Sequence, residues 1–179
     1  MSNPGKIIFV VGNSRSGTTM LGRILGNHEQ VFTFGELHFF EQQVDAATVT
    51  ARNEWSEDRC LILLERLLTT ARDGFFAKVD AGKYRLDAMR ILADAKTRDP
   101  VTVYSTFLFT ESAAHGKSIP CEQTPRYLFF VQEILEAFPE AVVINMIRDP
   151  RDVLLSQKNK WASFKSQVGN ASFRAADAT

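Results

Sequence analysis

The chain has 179 residues, 45% of them hydrophobic, and its 21 lysines and arginines balance 21 aspartates and glutamates. A chain of this size can bury a hydrophobic core, so we expect one domain over residues 1–179. The formal net charge of zero argues against nucleic acid or an anionic membrane surface as the main partner. No apolar run is long enough for a membrane span, and the first residues do not resemble a signal peptide, so we expect a cytoplasmic location.

The opening residues predict a buried strand, a tight loop and a helix in direct succession. Ile7 to Val11 is an unbroken β-branched and aromatic run, typical of a strand covered on both faces. Gly12-Asn-Ser-Arg-Ser-Gly-Thr-Thr19 follows, with its glycines at the spacing of the phosphate-binding loop G-x-x-x-x-G-K-[ST]. Backbone N–H groups of such a loop converge on an anion together with a helix N-terminus. The helix is predicted from Thr18 to Gly26 and packs on the sheet through its apolar residues, Met20, Leu21, Ile24 and Leu25.

This loop lacks the lysine of triphosphate-binding loops. Thr18 takes its place, Thr19 supplies the hydroxyl position, and Arg15 is the one cation within the loop. A triphosphate needs the lysine and usually Mg²⁺ to hold its charges. A phosphosulfate presents a transferring group with one fewer negative charge, which an arginine and N–H donors stabilise without a metal. The loop therefore favours a phosphosulfate, and we expect no metal.

A carboxylate follows the second predicted strand. Val31 to Phe34 alternates like a short strand and ends at Gly35-Glu36, which places Glu36 where it can project into a cleft. A solvated or helix-capping carboxylate would fit the same pattern. His38, two residues later, is the reserve candidate for acid–base chemistry in this segment.

The middle of the chain predicts helices around a polar excursion. Gln42 to Glu54 is polar and weakly patterned, and it is predicted to be irregular. Ser56 is a predicted N-cap for a helix that runs to about Arg72 and buries a stripe of leucines. A second amphipathic helix is predicted from Arg85 to Lys96, with a core face formed by Leu86, Met89, Leu92 and Ala93.

Two features of the sequence leave alternatives open. Asp99-Pro100 predicts the start of a helix from Val101 to His115, although Val101 to Tyr104 suits a strand equally well. Cys60 and Cys121 are far apart and lack metal-type spacing, so we favour two buried free thiols over a disulfide.

A second cluster of polar residues follows the last predicted strand. Ala141 to Ile147 is a continuous apolar run with Arg148 at its C-terminal end. Asp149 and Pro150 are the predicted cap and first residue of the next helix. Ser156 lies seven residues after the cap on the same helix face, so we expect Arg148 and Ser156 to converge on one anion.

The order of these elements predicts an α/β fold. Ser118 to Glu122 is a further predicted strand, and Tyr127 to Phe138 a further predicted helix. Strands that alternate with helices favour a parallel sheet flanked by helices in three layers, α/β/α, with the phosphate-loop type of nucleotide site at the strand ends.

Both polar clusters resemble segments of the sulfotransferases that use 3′-phosphoadenosine 5′-phosphosulfate. Gly12 to Thr19 is similar to their 5′-phosphosulfate-binding loop, in the Arg-Ser-Gly-Thr-Thr form of bacterial and Golgi-type members. Arg148-Asp-Pro-Arg-Asp-Val, with Ser156, resembles their 3′-phosphate-binding segment. The resemblance covers roughly residues 6–40 and 118–160. It implies a nucleotide site formed by Arg15, Ser16, Gly17, Thr18, Thr19, Arg148 and Ser156.

The resemblance also implies the chemistry. In that family a Gly-Glu at about this distance from the loop often carries the catalytic base, and Glu36 matches it, while Arg15 would stabilise charge on the departing phosphate. The family often has Glu-Lys-Thr-Pro where this chain has Glu122-Gln-Thr-Pro125, so one cationic contact differs. The partners implied are a nucleotide donor and an acceptor hydroxyl or amine on a carbohydrate, lipid, peptide or small molecule.

Two other functions stay open at this point. One is a nucleotide kinase or NTPase with Asp149 as the acid on the metal side, which the missing lysine and the neighbouring Arg148 disfavour. The other is a nucleotide-binding module without turnover. Family members usually continue beyond the second cluster, so we expect the 179-residue form to be C-terminally incomplete, with weak turnover and an exposed apolar flank along Ala141 to Ile147.

Overall fold

The structure is a computed structural model of the chain and describes residues 5–159. Four strands, β1 (Ile8–Gly12), β2 (Val31–Thr33), β3 (Ile119–Glu122) and β4 (Val142–Met146), form a parallel sheet in the order β2-β3-β1-β4. Helices flank the sheet in a three-layer α/β/α arrangement, which confirms the predicted fold class. β1 lies inside the sheet and is almost entirely buried, as its unbroken apolar sequence predicts.

Seven α-helices connect the strands within residues 5–159. They are α1 (Thr18–Gly26), α2 (Ala46–Ala51), α3 (Glu57–Asp73), α4 (Arg85–Asp94), α5 (Pro100–Ala114), α6 (Val131–Ala137) and α7, residues 150–159. Ser56 and Asp99 cap α3 and α5, because each side-chain oxygen accepts a hydrogen bond from the backbone N–H three residues later. The second cap decides the open alternative at Val101 to Tyr104 in favour of the helix.

The main core lies on one face of the sheet and is rich in aromatic side chains. Phe9 of β1 stacks on Phe138, and Phe39 lies parallel to Tyr104 with the ring centres 4.0 Å apart. The leucine stripe of α3 contributes Leu61, Leu64, Leu67 and Leu68, all fully buried. A smaller cluster on the other face joins Val10, Val31 and Cys121 to α1. The two layers together fix β1 in the middle of the domain.

Helix α1 buries a different face from the predicted one. Met20 and Ile24 are 61% and 56% exposed, whereas Leu21 and Leu25 pack against the smaller cluster. The reason is Gly22, which is buried against β2 and whose carbonyl accepts a hydrogen bond of 2.8 Å from the Thr33 hydroxyl. This close approach of backbone to strand turns the neighbouring Leu21 and Leu25 towards the sheet and the other two side chains away from it.

The predicted core face of α4 is also wrong. Leu86 and Met89 are 70% and 49% exposed, Ala93 is exposed, and only Leu92 of the predicted four packs against the core. Ala88 and Ile91 are buried instead. Helix α4 packs between α3 and α5, and the small side chain of Ala88 permits this close contact.

Several local elements differ from the sequence predictions. Asp45 caps α2 by accepting from the Thr48 N–H, so the predicted irregular stretch from Gln42 to Glu54 contains a helix. A π-helix (Phe39–Gln43) follows β2, and the predicted helix from Tyr127 to Phe138 divides into a 3-10 helix (Pro125–Phe130) and α6.

Other predictions concern the cysteines and the end of the chain. Both cysteines are buried free thiols, and burial raises the pKa of Cys121 to about 11. No helix within residues 5–159 has the length and apolar character needed to cross a membrane. The apolar side chains Ile147 and Leu154 are 85% and 65% exposed. Residues 160–179 lie outside the described part of the chain, so the expectation of a C-terminally incomplete form stays a prediction.

Gly12, at the end of β1, generates the first testable prediction. Its φ is +147°, and a Cβ at this position would lie 2.5 Å from the Met146 carbonyl oxygen of β4. We expect Gly12→Ala to reduce the free energy of unfolding by about 2 kcal/mol or more, because both the backbone conformation and the neighbouring strand oppose a side chain. Urea unfolding followed by circular dichroism measures this change.

The matched control is Gly35→Ala. A Cβ on Gly35 would meet nothing within 4 Å, and its φ is not positive. This variant should unfold within about 0.5 kcal/mol of the wild type. Equal stability of the two variants would contradict the close contact between β1 and β4.

Candidate active site

The candidate site lies where the parallel strands end. β1 pairs with β4 in register from Ile8 opposite Val142 to Gly12 opposite Met146, and β3 pairs with the other edge of β1. The carboxyl ends of these strands therefore meet at one edge of the sheet, which is where open α/β sheets bind ligands. The loops and helices that follow β1, β2 and β4 carry every residue of the predicted site.

The loop from Gly12 to Gly17 is shaped to expose backbone N–H groups. Arg15 and Gly17 have φ values of +73° and +106°, and the Ser16 N–H donates to the Asn13 carbonyl at 3.0 Å. Helix α1 begins directly after Gly17, so its first N–H groups have no acceptor within the helix. Alternation of right- and left-handed residues before a helix N-terminus produces a concave donor surface for an anion.

The second predicted cluster contacts this loop directly. Arg15 Nε donates to Ser156 Oγ at 3.0 Å, although the two residues are 141 positions apart. Arg148 Nη1 donates to the Arg15 carbonyl at 3.4 Å, and Arg148 Nη2 lies 3.7 Å from the Asp152 carboxylate. The structure thus brings Arg15, Arg148 and Ser156 together, with Arg148 44% exposed. Two cations and a hydroxyl face one region of the sheet edge.

Inside the loop, the geometry fits a bound phosphate or sulfate group. Ser16 and Thr18 are buried, and Ser16 Oγ has no hydrogen-bond partner among the described residues. A buried hydroxyl without a partner is unfavourable, so it marks a position where a ligand oxygen can accept its hydrogen bond. Thr19 is exposed on the first turn of α1. The loop therefore presents one buried hydroxyl without a partner beside the N-terminus of α1.

Glu36 and His38 form a second group of titratable side chains. The Glu36 side chain is 42% exposed, and its carboxylate lies 3.3 Å from His38 Nε2, close enough for an ion pair but not aligned as a hydrogen bond. His38 Nδ1 contacts Glu41 at 2.8 Å, and Glu41 in turn pairs with Arg126 at 2.9 Å. Burial lowers the pKa of His38, but the two carboxylates outweigh it and raise this pKa above its ordinary value.

Glu122 is a site residue that the sequence analysis missed. It lies at the end of β3, is fully buried, and accepts hydrogen bonds from the Leu37 N–H at 3.0 Å and the Thr124 N–H at 3.1 Å. The Thr124 hydroxyl also donates to it, and accepts in turn from the N–H groups of Leu37 and His38. Glu122 and Thr124 together hold the backbone between Glu36 and His38.

Burial raises the pKa of Glu122 to about 7, although its hydrogen bonds lower it. The signal available in the sequence was a carboxylate inside an otherwise buried strand, at a strand end next to β1.

Gln123, where the resembled family often has lysine, is 7% exposed and its side-chain oxygen has no partner among the described residues. Within residues 5–159 no group of three or more His, Cys, Asp or Glu side chains is arranged to hold a metal ion.

Comparison with known proteins gives a family and two relatives. A family model described as "Sulfotransferase family" matches residues 7–178. Nodulation protein NoeE of Sinorhizobium fredii (strain NBRC 101917 / NGR234) is 28% identical over 155 residues, which cover 87% of this chain and 32% of the relative. An uncharacterized protein of Aquifex aeolicus (strain VF5) is 29% identical over 172 residues, 93% of this chain and 18% of the relative. The chain spans about a third of the first relative and under a fifth of the second.

Glu122 generates a prediction about pH. Its folded pKa of about 7 lies above the ordinary value of 4.5, so the folded state holds a proton that the unfolded state releases. Its contribution to stability is therefore present below about pH 4.5 and is lost as the pH rises to 7. Between pH 5 and pH 8 we expect the wild type to lose about 2 kcal/mol more unfolding free energy than Glu122→Gln.

Urea unfolding at intervals of half a pH unit measures the two slopes. His38 has a raised pKa and contributes a loss of the same sign as the pH rises, and this part should persist in Glu122→Gln. The exposed Glu140→Gln is the control and should keep the wild-type slope. Identical slopes for wild type and Glu122→Gln would show that Glu122 is ionised at pH 5 in the folded protein.

Proposed function

Since this chain belongs to the sulfotransferase family, we propose that it transfers a sulfuryl group from 3′-phosphoadenosine 5′-phosphosulfate to a hydroxyl or amine of an acceptor. The observation that carries this proposal is the contact between Arg15 and Ser156, 3.0 Å from Nε to Oγ. It joins the loop after β1 to the helix after β4, the two segments that resemble the binding sites for the two ends of one nucleotide.

On the donor side, two segments of the chain would bind opposite ends of the nucleotide. Backbone N–H groups from Gly17 to Thr19 and the Ser16 hydroxyl would hold the 5′-phosphosulfate, since the Ser16 N–H already donates to Asn13. Arg148 and Ser156 would hold the 3′-phosphate, with the guanidinium supplying charge-assisted hydrogen bonds. Arg15 now donates to Ser156 and lies on the loop itself, so it can turn to the phosphate oxygen on which negative charge develops.

The acceptor side performs the proton transfer. The acceptor oxygen or nitrogen attacks sulfur in line, the bond from sulfur to the 5′-phosphate oxygen breaks, and that oxygen keeps the electron pair. Glu36 takes the proton that the acceptor releases. His38 lies 3.3 Å from the Glu36 carboxylate and 2.8 Å from Glu41, so it would hold Glu36 in position beside the acceptor.

A nucleotide kinase or NTPase is the less favoured alternative. Both oxygens of Asp149, which that function would need as an acid on the metal side, accept hydrogen bonds from Arg151, at 2.6 Å for the shortest. Thr18 still stands in place of the lysine. A nucleotide-binding module without turnover would use the same donor residues, so measurements of transfer, not of binding, separate it from an enzyme.

The choice between nucleotides generates a prediction about Arg148. We expect adenosine 3′,5′-bisphosphate to stabilise the protein more than AMP does, because Arg148 and Ser156 pair only with the 3′-phosphate. At a hundred times its dissociation constant a ligand adds about 2.7 kcal/mol to stability, which a thermal shift assay detects. Arg148→Ala should remove the difference between the two nucleotides.

The exposed Arg151→Ala provides a control with the same loss of charge on the same segment. It should keep the preference for adenosine 3′,5′-bisphosphate. We expect EDTA to leave the shifts unchanged. Equal shifts for both nucleotides in the wild type, or binding of ATP that needs Mg²⁺, would contradict the assignment of the donor site.

A separate prediction tests the catalytic role of Glu36. In a form active with a labelled donor, Glu36→Gln should retain affinity for adenosine 3′,5′-bisphosphate and lower turnover by roughly 10²–10⁴-fold, the usual contribution of a general base. Calorimetry and transfer of labelled sulfate measure the two effects separately. Unchanged turnover would exclude Glu36 as the base and leave His38, whereas loss of nucleotide binding would make Glu36 a structural residue.

A further inference from the structure

A groove of about 350 Å³ lies beside the proposed base. The π-helix, α3 and the loop that follows α3 form its walls. Leu37, which is next to Glu36 in the chain, lines it, and so does Phe75, whose ring centre lies 4.4 Å from that of His38. Its volume is within the range of small-molecule sites, about 300–1,000 Å³. The groove therefore borders the residues that would accept the proton.

One wall of the groove is a stripe of side chains on α3. Ile62, Arg66 and Thr70 line it at intervals of four residues, which places them on one face of the helix. Eight residues of α-helix extend about 12 Å, so the stripe is long enough to contact a molecule of two rings. The opposite face of α3 carries the leucines of the core. The stripe therefore lies on the face of α3 that points away from the leucine core.

Charge in the groove has a single sign. Arg66 is the one ionisable side chain that lines it, and no carboxylate of residues 5–159 pairs with its guanidinium. On the same helix Arg72 binds Glu111 in two hydrogen bonds, of 2.7 and 3.0 Å. A guanidinium with no acidic partner matches a carboxylate, sulfate or phosphate group in its donor geometry. The amides of Gln42 and Gln43 add neutral hydrogen-bonding groups.

Apolar side chains complete the lining. Ile62, Phe75 and Val79 are 63%, 43% and 49% exposed, so a large part of each apolar surface is in water. Clustered exposed apolar side chains that border polar groups are typical of a binding site. An occupant that covered them would present an apolar face of its own.

We propose that this groove binds the acceptor, and that the acceptor is an anionic hydroxyl compound with an apolar face. Its anionic group pairs with Arg66 and its apolar face covers Phe75, which brings its hydroxyl to Glu36. The identification of the ligand as an acceptor rests on the proposed sulfuryl transfer. The proposal that the groove binds an anion rests only on the lining residues and their charge.

Two probes that differ in a single group test the charge. 4-Nitrophenyl β-D-glucuronide and 4-nitrophenyl β-D-glucoside share their hydroxyls and aromatic ring, but the first has a carboxylate where the second has a hydroxymethyl group. Calorimetry of the full chain saturated with adenosine 3′,5′-bisphosphate measures their affinities. We expect the glucuronide to bind about tenfold more tightly or better, the advantage of one charge-assisted hydrogen-bonded pair.

Substitutions assign the preference to Arg66. Arg66→Gln should reduce the difference between the two probes to about twofold or less, while the affinity for the glucoside stays unchanged. Arg59→Gln is the matched control, because Arg59 is an exposed arginine of α3 that lies outside the groove and stacks on Trp55 at 3.5 Å. It should retain the wild-type preference.

Three results would overturn the groove assignment: no binding of either probe at 10 mM, equal affinity of both for the wild type, or a preference that survives Arg66→Gln. Transfer of labelled sulfate to the probes separates this proposal from the function on which it rests. A preference that depends on Arg66, with no transfer to these probes or to a broader set of hydroxyl and amine acceptors, counts against the transferase and leaves the anion-binding groove. Transfer that continues with the same preference in Arg66→Gln refutes the groove alone.

Discussion

The parallel pairing of β1 with β4 is the constraint on which the site depends. The two strands run in register for five residue pairs and end together, at Gly12 and Met146. The loops that follow them start at the same level of the sheet, so Arg15 reaches Ser156 across 141 positions of sequence. The concave loop after β1 and the position of Arg148 beside it are consequences of a single strand register, and a glycine at position 12 is the condition for it.

The buried carboxylate of Glu122 has the corresponding role on the other side of β1. It joins the end of β3 to the segment from Glu36 to His38, where His38 has a φ of +54°. A positive φ in a non-glycine residue and a buried carboxyl group both cost free energy. The aromatic core beneath them offsets this cost, and Tyr127 contributes directly because its hydroxyl accepts from the Phe39 N–H at 2.6 Å. Unfavourable features of this kind concentrate where a protein positions reactive groups.

Local signals in the sequence predicted much of this architecture. The glycine spacing after β1 and the caps at Ser56 and Asp99 act within a few residues, so they specified their elements without tertiary information. Which face of α1 or α4 is buried depends on how closely a neighbouring element approaches the helix. The small residues Gly22 and Ala88 permit that close approach. Helical periodicity alone favours large apolar residues such as Met20 and Leu86 as core residues, so it predicted the wrong buried faces.

Sequence motifs identified residues that lie close together in the structure, but the sequence contains little indication of contacts between remote residues. The sequence pointed to Arg15, Arg148 and Ser156, which lie together in the structure. For Glu122 the sequence shows only a carboxylate at the end of a buried strand, because the Leu37 N–H from which it accepts a hydrogen bond lies 85 positions away. The π-helix is equally nonlocal in origin, since burial of the consecutive residues Phe39 and Phe40 against Tyr104 and Tyr127 determines it.

The two sides of the site are formed by different parts of the chain, which has a consequence for specificity. In the proposed function residues 12–19 and 148–156 bind the donor, whereas the π-helix, α3 and the loop after α3 form the groove. On α3 the groove residues and the core leucines occupy opposite faces, so a change at Ile62 or Arg66 alters what the groove binds without altering the packing beneath it. The donor chemistry can then stay constant while the acceptor changes, because the Arg15 to Ser156 contact involves none of these side chains.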